Sequence, residues 1–497
     1  MENQTAHITD PPATNAIFPL MMTPFEYYMW TDHRPEYPMV VVGRLDFDGE
    51  IDRDAFENAV REMAERHPLT RCIVDPTTEP LPTWKLTNGQ FPEIHWEEME
   101  SFEAFSDRED LIPIWIDLSQ EPGLKFRVLR GGGRSAILFY MHHSVSDGLG
   151  LFQMLGDLLA IYARRFGDEI AIPELEPDLL PLRKILPKTA RKRQRGLRAI
   201  LRRINSFLRW VIIPAAPLTA PSEKSIRQRR KAESRKFPSE NRSKNLSGDD
   251  SPKCSNEQLA AIWSPIRAIR LPVEEVVRLR NLAKSQGTTL NVLLMRDLTV
   301  TLAQWNMERG PRAGKSYWLR IGLPVSIRSQ VHEQMPAVNV VSYLFPVRWL
   351  CGKTLDRDKL LASLNQEVSE MFTGQRAFYF ARILNRTQNH PGIIRHFVHS
   401  KTCFATAIHS YLGDFPRRFE REFPTDDDGR SRIGNLRFEG ILSTPPVRAR
   451  TSVAAAYHQY RGAMDIGIRF DPHRFTEEDA AAFTEMFLGK IRANFSE

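Results

Sequence analysis

The sequence predicts an α/β protein built as two similar halves. Three observations carry that reading. Runs rich in β-branched and aromatic residues alternate with stretches whose apolar residues recur at helical spacing. The alternation occurs twice in the same style, and a strongly basic segment lies between the two occurrences. The halves are expected over residues 1–180 and 256–497, with 181–255 as the connection.

In the first half, YPMVVVGRLDFDG reads as a strand, and DRDAFENAVREMAERHP as a helix capped by Asp52 with Phe56, Val60 and Met63 on one face. GLKFRVLRGG and SAILFYMHH are β-rich runs parted by glycines, the pattern of a hairpin, and DGLGLFQMLGDLLAIYARRFG reads as a long helix. In the second half, PIRAIRLP is strand-like. PVEEVVRLRNLAKSQG is helical and closes at Gly287, and TTLNVLLMRDLTVTLAQWNMERG is a strongly apolar helix. YWLRIGLPV and NVVSYLFPVRWL follow as strands, DRDKLLASLNQEVSEMF as a helix, and TSVAAAYHQY with GAMDIGIRFDP as a hairpin. TEEDAAAFTEMFLGKIRANF closes as a helix with Phe483, Met486, Phe487 and Ile491 facing the core.

A chain of 497 residues with 42% hydrophobic and 10% aromatic residues has the composition of a globular protein and excludes a disordered or collagenous one. The four cysteines, Cys72, Cys254, Cys351 and Cys403, are widely spaced, which argues against a disulfide scaffold and against a zinc cluster, so no metal is expected. That usage fits a reducing, cytoplasmic setting. No stretch reaches the roughly 18 apolar residues of a membrane span, and the start MENQTAHITD lacks the regions of a signal peptide. Between Arg183 and Lys244 there are 20 Lys and Arg against Glu223, Glu233 and Glu240, inside a chain of net charge +7. The rest of the chain is therefore acidic overall, and no nucleic-acid partner is expected.

Within that segment Leu197, Ile200, Leu201, Ile204, Phe207, Leu208 and Val211 fall at helical spacing, with Arg195, Arg198, Arg202, Arg203 and Arg209 largely around the other side. Leu197, Leu201, Ile204, Phe207 and Trp210 are the expected docking residues for an anionic membrane surface, against the alternatives of packing on the protein's own core or holding another partner. Residues 219–252, rich in Ser, Pro and charge, are expected to be disordered.

The motif that carries chemistry is His142-His143-Ser144-Val145-Ser146-Asp147-Gly148, where an apolar run stops and a helix starts. An imidazole titrating near neutrality can take a proton from a hydroxyl or amine and return it to a leaving group. Asp147 is placed to tie down the loop, and the N–H of Gly148 opens a helix, where a developing oxyanion is stabilised. Rival motifs fail on spacing. GPRAGKS, residues 310–316, is one residue short of a phosphate-binding loop, His332-Glu333 lacks a second histidine, and no GxSxG turn occurs.

These residues resemble the HHxxxDG acyltransferase superfamily, which includes chloramphenicol acetyltransferases, peptide-synthetase condensation domains and wax ester synthase/diacylglycerol acyltransferases. Arg66, His67, Pro68, Leu69 and Arg71 resemble its RHPxLR element, with Thr70 departing from the pattern. IGLPVSIRSQ with Asn339 resembles its PVxxR…N element, and HSYLGD its SNxGD element, with Tyr411 in place of Asn. The resemblance implies two chloramphenicol-acetyltransferase-like subdomains meeting at one active-site tunnel. It implies His143 as general base, His142 as a supporting residue, and Asp147 paired with Arg328 from the other half. Asn339 and Tyr411 are expected on the acceptor side. The activity implied is acyl transfer from a thioester to an alcohol or amine without an acyl-enzyme and without a cofactor. Together with the basic helix, this ranks an acyl-coenzyme A donor and a lipid-like hydroxyl acceptor first, at the inner face of a membrane. An amide-forming or carrier-protein-dependent condensation and a catalytically silent acyl- or carrier-binding relative are the alternatives.

Overall fold

The computed structural model describes residues 17–100, 111–186, 215–219, 264–309, 316–351, 355–373, 376–400, 402–414, 419 and 422–495. Leu197, Leu201, Ile204, Phe207 and Trp210, together with the expectation for 220–252, lie outside the described residues.

The first half opens with β1 (Leu20–Met21) and α1 (Pro24–Asp32), whose start is fixed by a capping box between Thr23 and Glu26. Then come β2 (Val40–Asp48) and α2 (Arg53–Arg66). The N-cap Asp52 accepts from the Ala55 N–H, and Phe56, Ala59, Val60 and Met63 are buried along α2. After β3 (Cys72–Asp75), β4 (Thr83–Leu86) and β5 (Glu93–Glu98), the hairpin of β6 (Leu124–Gly131) and β7 (Arg134–His142) leads directly into α3 (Gly148–Arg164). That helix is buried from Gly150 to Ala163 except at Gln153, as befits a helix packed on several sides.

The second half comprises β8 (Ile266–Leu271), α4 (Val273–Ser285), α5 (Leu290–Glu308), β9 (Ser316–Ser326), β10 (Val341–Leu344), β11 (Val347–Cys351) and α6 (Arg357–Thr373). It continues with α7 (Tyr379–Arg386), α8 (Pro391–His399), β12 (Ala407–Asp414), β13 (Arg432–Ile433), β14 (Leu436–Thr444), β15 (Val453–Tyr460), β16 (Ala463–Phe470) and α9 (Glu477–Arg492). The run read as one strand through NVVSYLFPVRWL is divided at Pro346, which has no N–H to donate. Its two pieces, β10 and β11, keep a single antiparallel register on β9, with Leu344 opposite Leu323 and Val347 opposite Arg320.

Two large sheets result, ordered β10-β9-β12-β15-β16-β8 with β11 also on β9, and β13-β14-β2-β7-β6-β5. The second sheet is not confined to the first half. β14 pairs antiparallel with β2 from Thr444↔Val42 to Arg437↔Asp48, so residues 432–444 cross the division expected at 256–497. The sheets abut where β14 passes β16. A Cβ on Gly467 would come within 2.3 Å of the Ser443 carbonyl oxygen, so the close approach requires glycine there.

The connection is also less separate than 181–255 suggests. Arg183 is buried, donating to both Glu26 carboxylate oxygens at 2.7 and 2.8 Å. At the other end, the Ala216 N–H donates to the Trp318 carbonyl at 2.8 Å and the Leu218 N–H to Ser452 Oγ at 2.8 Å. No helix among the described residues is long and apolar enough to cross a membrane.

Candidate active site

The HHxxxDG motif occupies the turn from β7 to α3. Backbone bonds fix the turn on three sides: His142 N–H to the Gly123 carbonyl (2.8 Å), His143 N–H to the Met39 carbonyl (2.7 Å) and Val145 N–H to the His142 carbonyl (2.9 Å). Ser144 Oγ donates to the Glu26 carbonyl oxygen at 3.0 Å, tying the turn to α1.

The two histidines differ in what their nitrogens are free to do. His142 is fully buried, and its Nδ1 accepts from the Ser144 N–H at 3.1 Å. Its proton therefore sits on Nε2, which is buried and unpartnered beside the ring of His33 (4.5 Å between centroids). Burial, then the neighbouring His33 and His143, hold His142 neutral, far below the usual imidazole range. His143 is half-buried. Its Nδ1 is buried without a hydrogen bond, whereas Nε2 has no hydrogen bond among the described residues and is not sealed. Burial lowers its pKa, opposed by its own carbonyl and by Asp147, so the ring is neutral at neutral pH.

Asp147 has no lone pair to spare for chemistry. Oδ1 accepts from Gly150 N–H (2.9 Å) and Arg328 Nη2 (2.8 Å), and Oδ2 from Arg328 Nη1 (2.8 Å) and Val340 N–H (2.7 Å). Burial alone would raise its pKa. The Arg328 guanidinium and the two backbone donors outweigh burial and hold the carboxyl below its ordinary value. The carboxylate thus caps α3 and fastens the second-half segment between β9 and β10 to the first half.

That segment makes further contacts with the motif. Asn339 Nδ2 donates to the carbonyl oxygens of both His143 and Ser144 at 2.9 Å, and Ser146 Oγ donates to the Val338 carbonyl oxygen at 3.3 Å. A Cβ on Gly150 would lie 2.0 Å from Ser146 Oγ and 3.1 Å from the Val338 backbone, so glycine is required for the close approach. The Ala337 N–H donates to Nδ1 of His67 at 3.0 Å, which leaves the proton on Nε2 for Asp157 Oδ2 at 3.2 Å. The RHPxLR residues thus position the same segment. Gly148 begins α3, and a Cβ there would approach nothing nearer than Leu412 Cδ2 at 3.4 Å. Packing does not require glycine at that position.

The two residues expected on the acceptor side have different surroundings. Asn339 is buried against the motif's backbone, where it holds the His143 turn. Tyr411 lies next to Tyr457 (6.2 Å between centroids) and accepts from Gln459 Nε2 at 3.1 Å. Gln459 in turn accepts from Arg280 of α4, so the Tyr411 ring is on the helix-covered face of its sheet. A bulge between Tyr411 and Gly413 turns Leu412 toward Gly148 instead. Residues that no motif flagged also stand beside the His143 ring. The Phe25 ring meets His143 edge-on at 6.4 Å and stacks on Tyr343 at 6.4 Å. Phe25 and Tyr343 belong to α1 and β10, and His33 follows α1; none carries a sequence pattern beyond its local element.

A stretch of 140 residues is 25% identical to surfactin synthase subunit 2 of Bacillus subtilis (strain 168), covering 26% of this chain and 4% of that protein. No protein-family model matches. The first condensation domain of the calcium-dependent antibiotic synthetase, in complex with a substrate analogue, superposes with a TM-score of 0.57 over 95% of each chain at 13% identity. The fold is that of a condensation domain. The nonribosomal peptide synthetase FmoA3 is similar at a TM-score of 0.61 and 14% identity, over 98% of this chain and 46% of that one. This chain therefore spans less than half of that synthetase structure and a small part of the surfactin synthase subunit. The resemblance read from the motifs stands at the level of fold, a mixed α/β architecture of two related halves with the HHxxxDG turn between them.

Proposed function

We propose that this chain transfers an acyl group from a pantetheine-type thioester to an amine or hydroxyl by direct attack, with His143 as general base. The observation that carries this is the asymmetry of the two histidines. His142 holds its proton on a sealed nitrogen, whereas His143 is neutral and keeps Nε2 open. In the reaction His143 Nε2 takes the proton of the attacking amine or alcohol as its nitrogen or oxygen bonds to the thioester carbon. The C–S bond then breaks, the proton passes from the imidazolium to the departing thiolate, and the products are an amide or ester and a free thiol. The Gly148 N–H, at the start of α3, is the donor offered to the carbonyl oxygen as negative charge develops on it. Asp147, Arg328 and Asn339 position the turn and do not exchange protons.

A carrier-protein-bound donor ranks above acyl-coenzyme A, and amide formation above lipid O-acylation. The support for that order is the fold shared with condensation domains of peptide synthetases. The test is thiol release from a matched acyl group carried on a carrier protein, on coenzyme A and on N-acetylcysteamine, each offered amine and alcohol acceptors. Release above a His143→Ala control, fastest from the carrier protein, is the expected result. Release no greater than that control from any donor would favour a silent acyl- or carrier-binding relative.

A further inference from the structure

The main chain of His143 is held at both ends. Asn339 from the second half donates to its carbonyl oxygen at 2.9 Å, and its own N–H donates to the Met39 carbonyl at 2.7 Å. The N–H of Met39 has no place in a ladder. Pairing of β2 with β7 stops at Val40↔His142, where the chain leaves β7 for the motif turn, so among the described residues no strand carbonyl faces the N–H of buried Met39. His33 supplies the acceptor instead. Its Nδ1 takes the Met39 N–H at 3.0 Å, closing the connection between α1 and β2.

The imidazole suits that bond. Burial, opposed by the Ile116 backbone, lowers the His33 pKa to about 3, so the ring is neutral and its Nδ1 lone pair stays available. The proton sits on Nε2, which is sealed from solvent. The ring stacks on Trp115 at 3.9 Å between centroids and meets His142 edge to face at 4.5 Å, and these two contacts fix the plane in which Nδ1 points. The second half clamps the same connection: Tyr37 Oη donates to Asp471 Oδ1 at 3.0 Å, and Arg469 Nη1 to the Val40 carbonyl at 3.0 Å. Those clamps bracket Met39 and leave its N–H to His33.

We propose that His33 is a positioning residue of the reaction site: it orients the Met39 peptide, and through the Met39 carbonyl it sets the main-chain position of His143. It is the first-half counterpart of Asn339, acting through the backbone and not on the substrate. The inference rests on the reading of His143 as general base. A displacement of about 1 Å in such a group is enough to cost roughly 100-fold in rate.

Two substitutions in the full chain separate the hydrogen bond from the packing of the ring. His33→Leu keeps most of the volume and removes the acceptor, whereas His33→Asn loses the stacked ring and offers an oxygen close to the place of Nδ1. His33→Phe replaces His33→Leu where the latter does not melt cooperatively. His33→Leu should lower kcat about 10- to 100-fold with KM within about threefold, and His33→Asn should keep kcat within about threefold of the unsubstituted protein. A merely structural histidine predicts instead that activity follows melting temperature in both variants. A second readout needs no turnover: the rate at which diethyl pyrocarbonate modifies His143, followed by peptide mass spectrometry. Loosening the turn opens the sealed Nδ1 of His143 more often, so modification should be at least about threefold faster in His33→Leu and unchanged in His33→Asn. Unchanged kcat in a folded His33→Leu, losses of equal size in both variants, or equal modification rates in the two would overturn the assignment. If the unsubstituted protein turns over no thioester, the proposed reaction fails, and the modification rates alone decide whether His33 positions His143.

Discussion

At the scale of single residues, the two histidines of the motif differ in their hydrogen bonds. His142 and His143 are adjacent in sequence, yet Ser144 N–H fixes the tautomer of His142, whose other nitrogen is sealed against His33. His143→Ala should therefore lower turnover by about 10² to 10⁴, the usual range for a lost general base, in a protein that still folds. His142→Ala should cost less turnover and more stability, because it opens a cavity under the turn. Turnover of both variants at matched melting temperatures checks the order. The pH profile follows from the same ring. A base works unprotonated, and burial lowers the His143 pKa below 6.5, so kcat/KM should rise with pH along an acid limb lying below 6.5 and be level by neutrality. A limb centred above 7 would contradict the assignment. The sequence motif located these residues, but the open and closed nitrogens depend on contacts from Gly123, Met39 and Asn339 that no spacing encodes.

Among the elements, the segment between β9 and β10 carries the most weight, because it brings Arg328, Ala337, Val338, Asn339 and Val340 to the motif of the other half. Asp147 is 4% exposed and Arg328 23% exposed at the side chain. Arg328→Met strands a buried carboxylate, which typically costs about 3 to 5 kcal/mol, while Asp147→Asn strands a guanidinium that can still reach water and should cost less. The double variant should be more stable than the two single losses summed. Additivity to within about 0.5 kcal/mol in a double-mutant cycle from denaturant melts would reject the coupling. The sign of the pH effect is fixed by the direction of the shift. The folded carboxyl titrates below its unfolded value of about 3.9, so its contribution is complete above that pH and is lost as pH falls through the folded value. Arg328→Met should flatten that acid loss. The arginine and the asparagine were legible as parts of a motif. The second role of His67, as acceptor from Ala337 N–H, was not, because it joins positions 270 residues apart.

For the whole molecule, the two halves are visible in the sequence as repeated alternation, but their mutual dependence is not. The strand LRFEGILST, residues 436–444, lies in the second half of the chain and pairs with β2 of the first along Val42–Asp48. Local pattern identifies a strand by its own residues, whereas the sheet it joins is chosen by long-range packing, here including Phe438 against Phe47 at 5.5 Å between centroids. The same holds at Arg469 of β16, which is buried and donates to the Val40 carbonyl at 3.0 Å. A chain ended after residue 186 would leave the β2 edge unpaired and uncover Phe47, Leu45 and the face of α3, all buried in the full chain. An apolar, unpaired central edge promotes association. Such a fragment should give no cooperative thermal transition and should elute as aggregate, while the full chain melts in one step. Circular dichroism melting with size-exclusion chromatography checks this. A monomeric fragment with a sharp transition would mean that the first half is a self-sufficient domain, and that β14 only seals an interface between two units that fold alone.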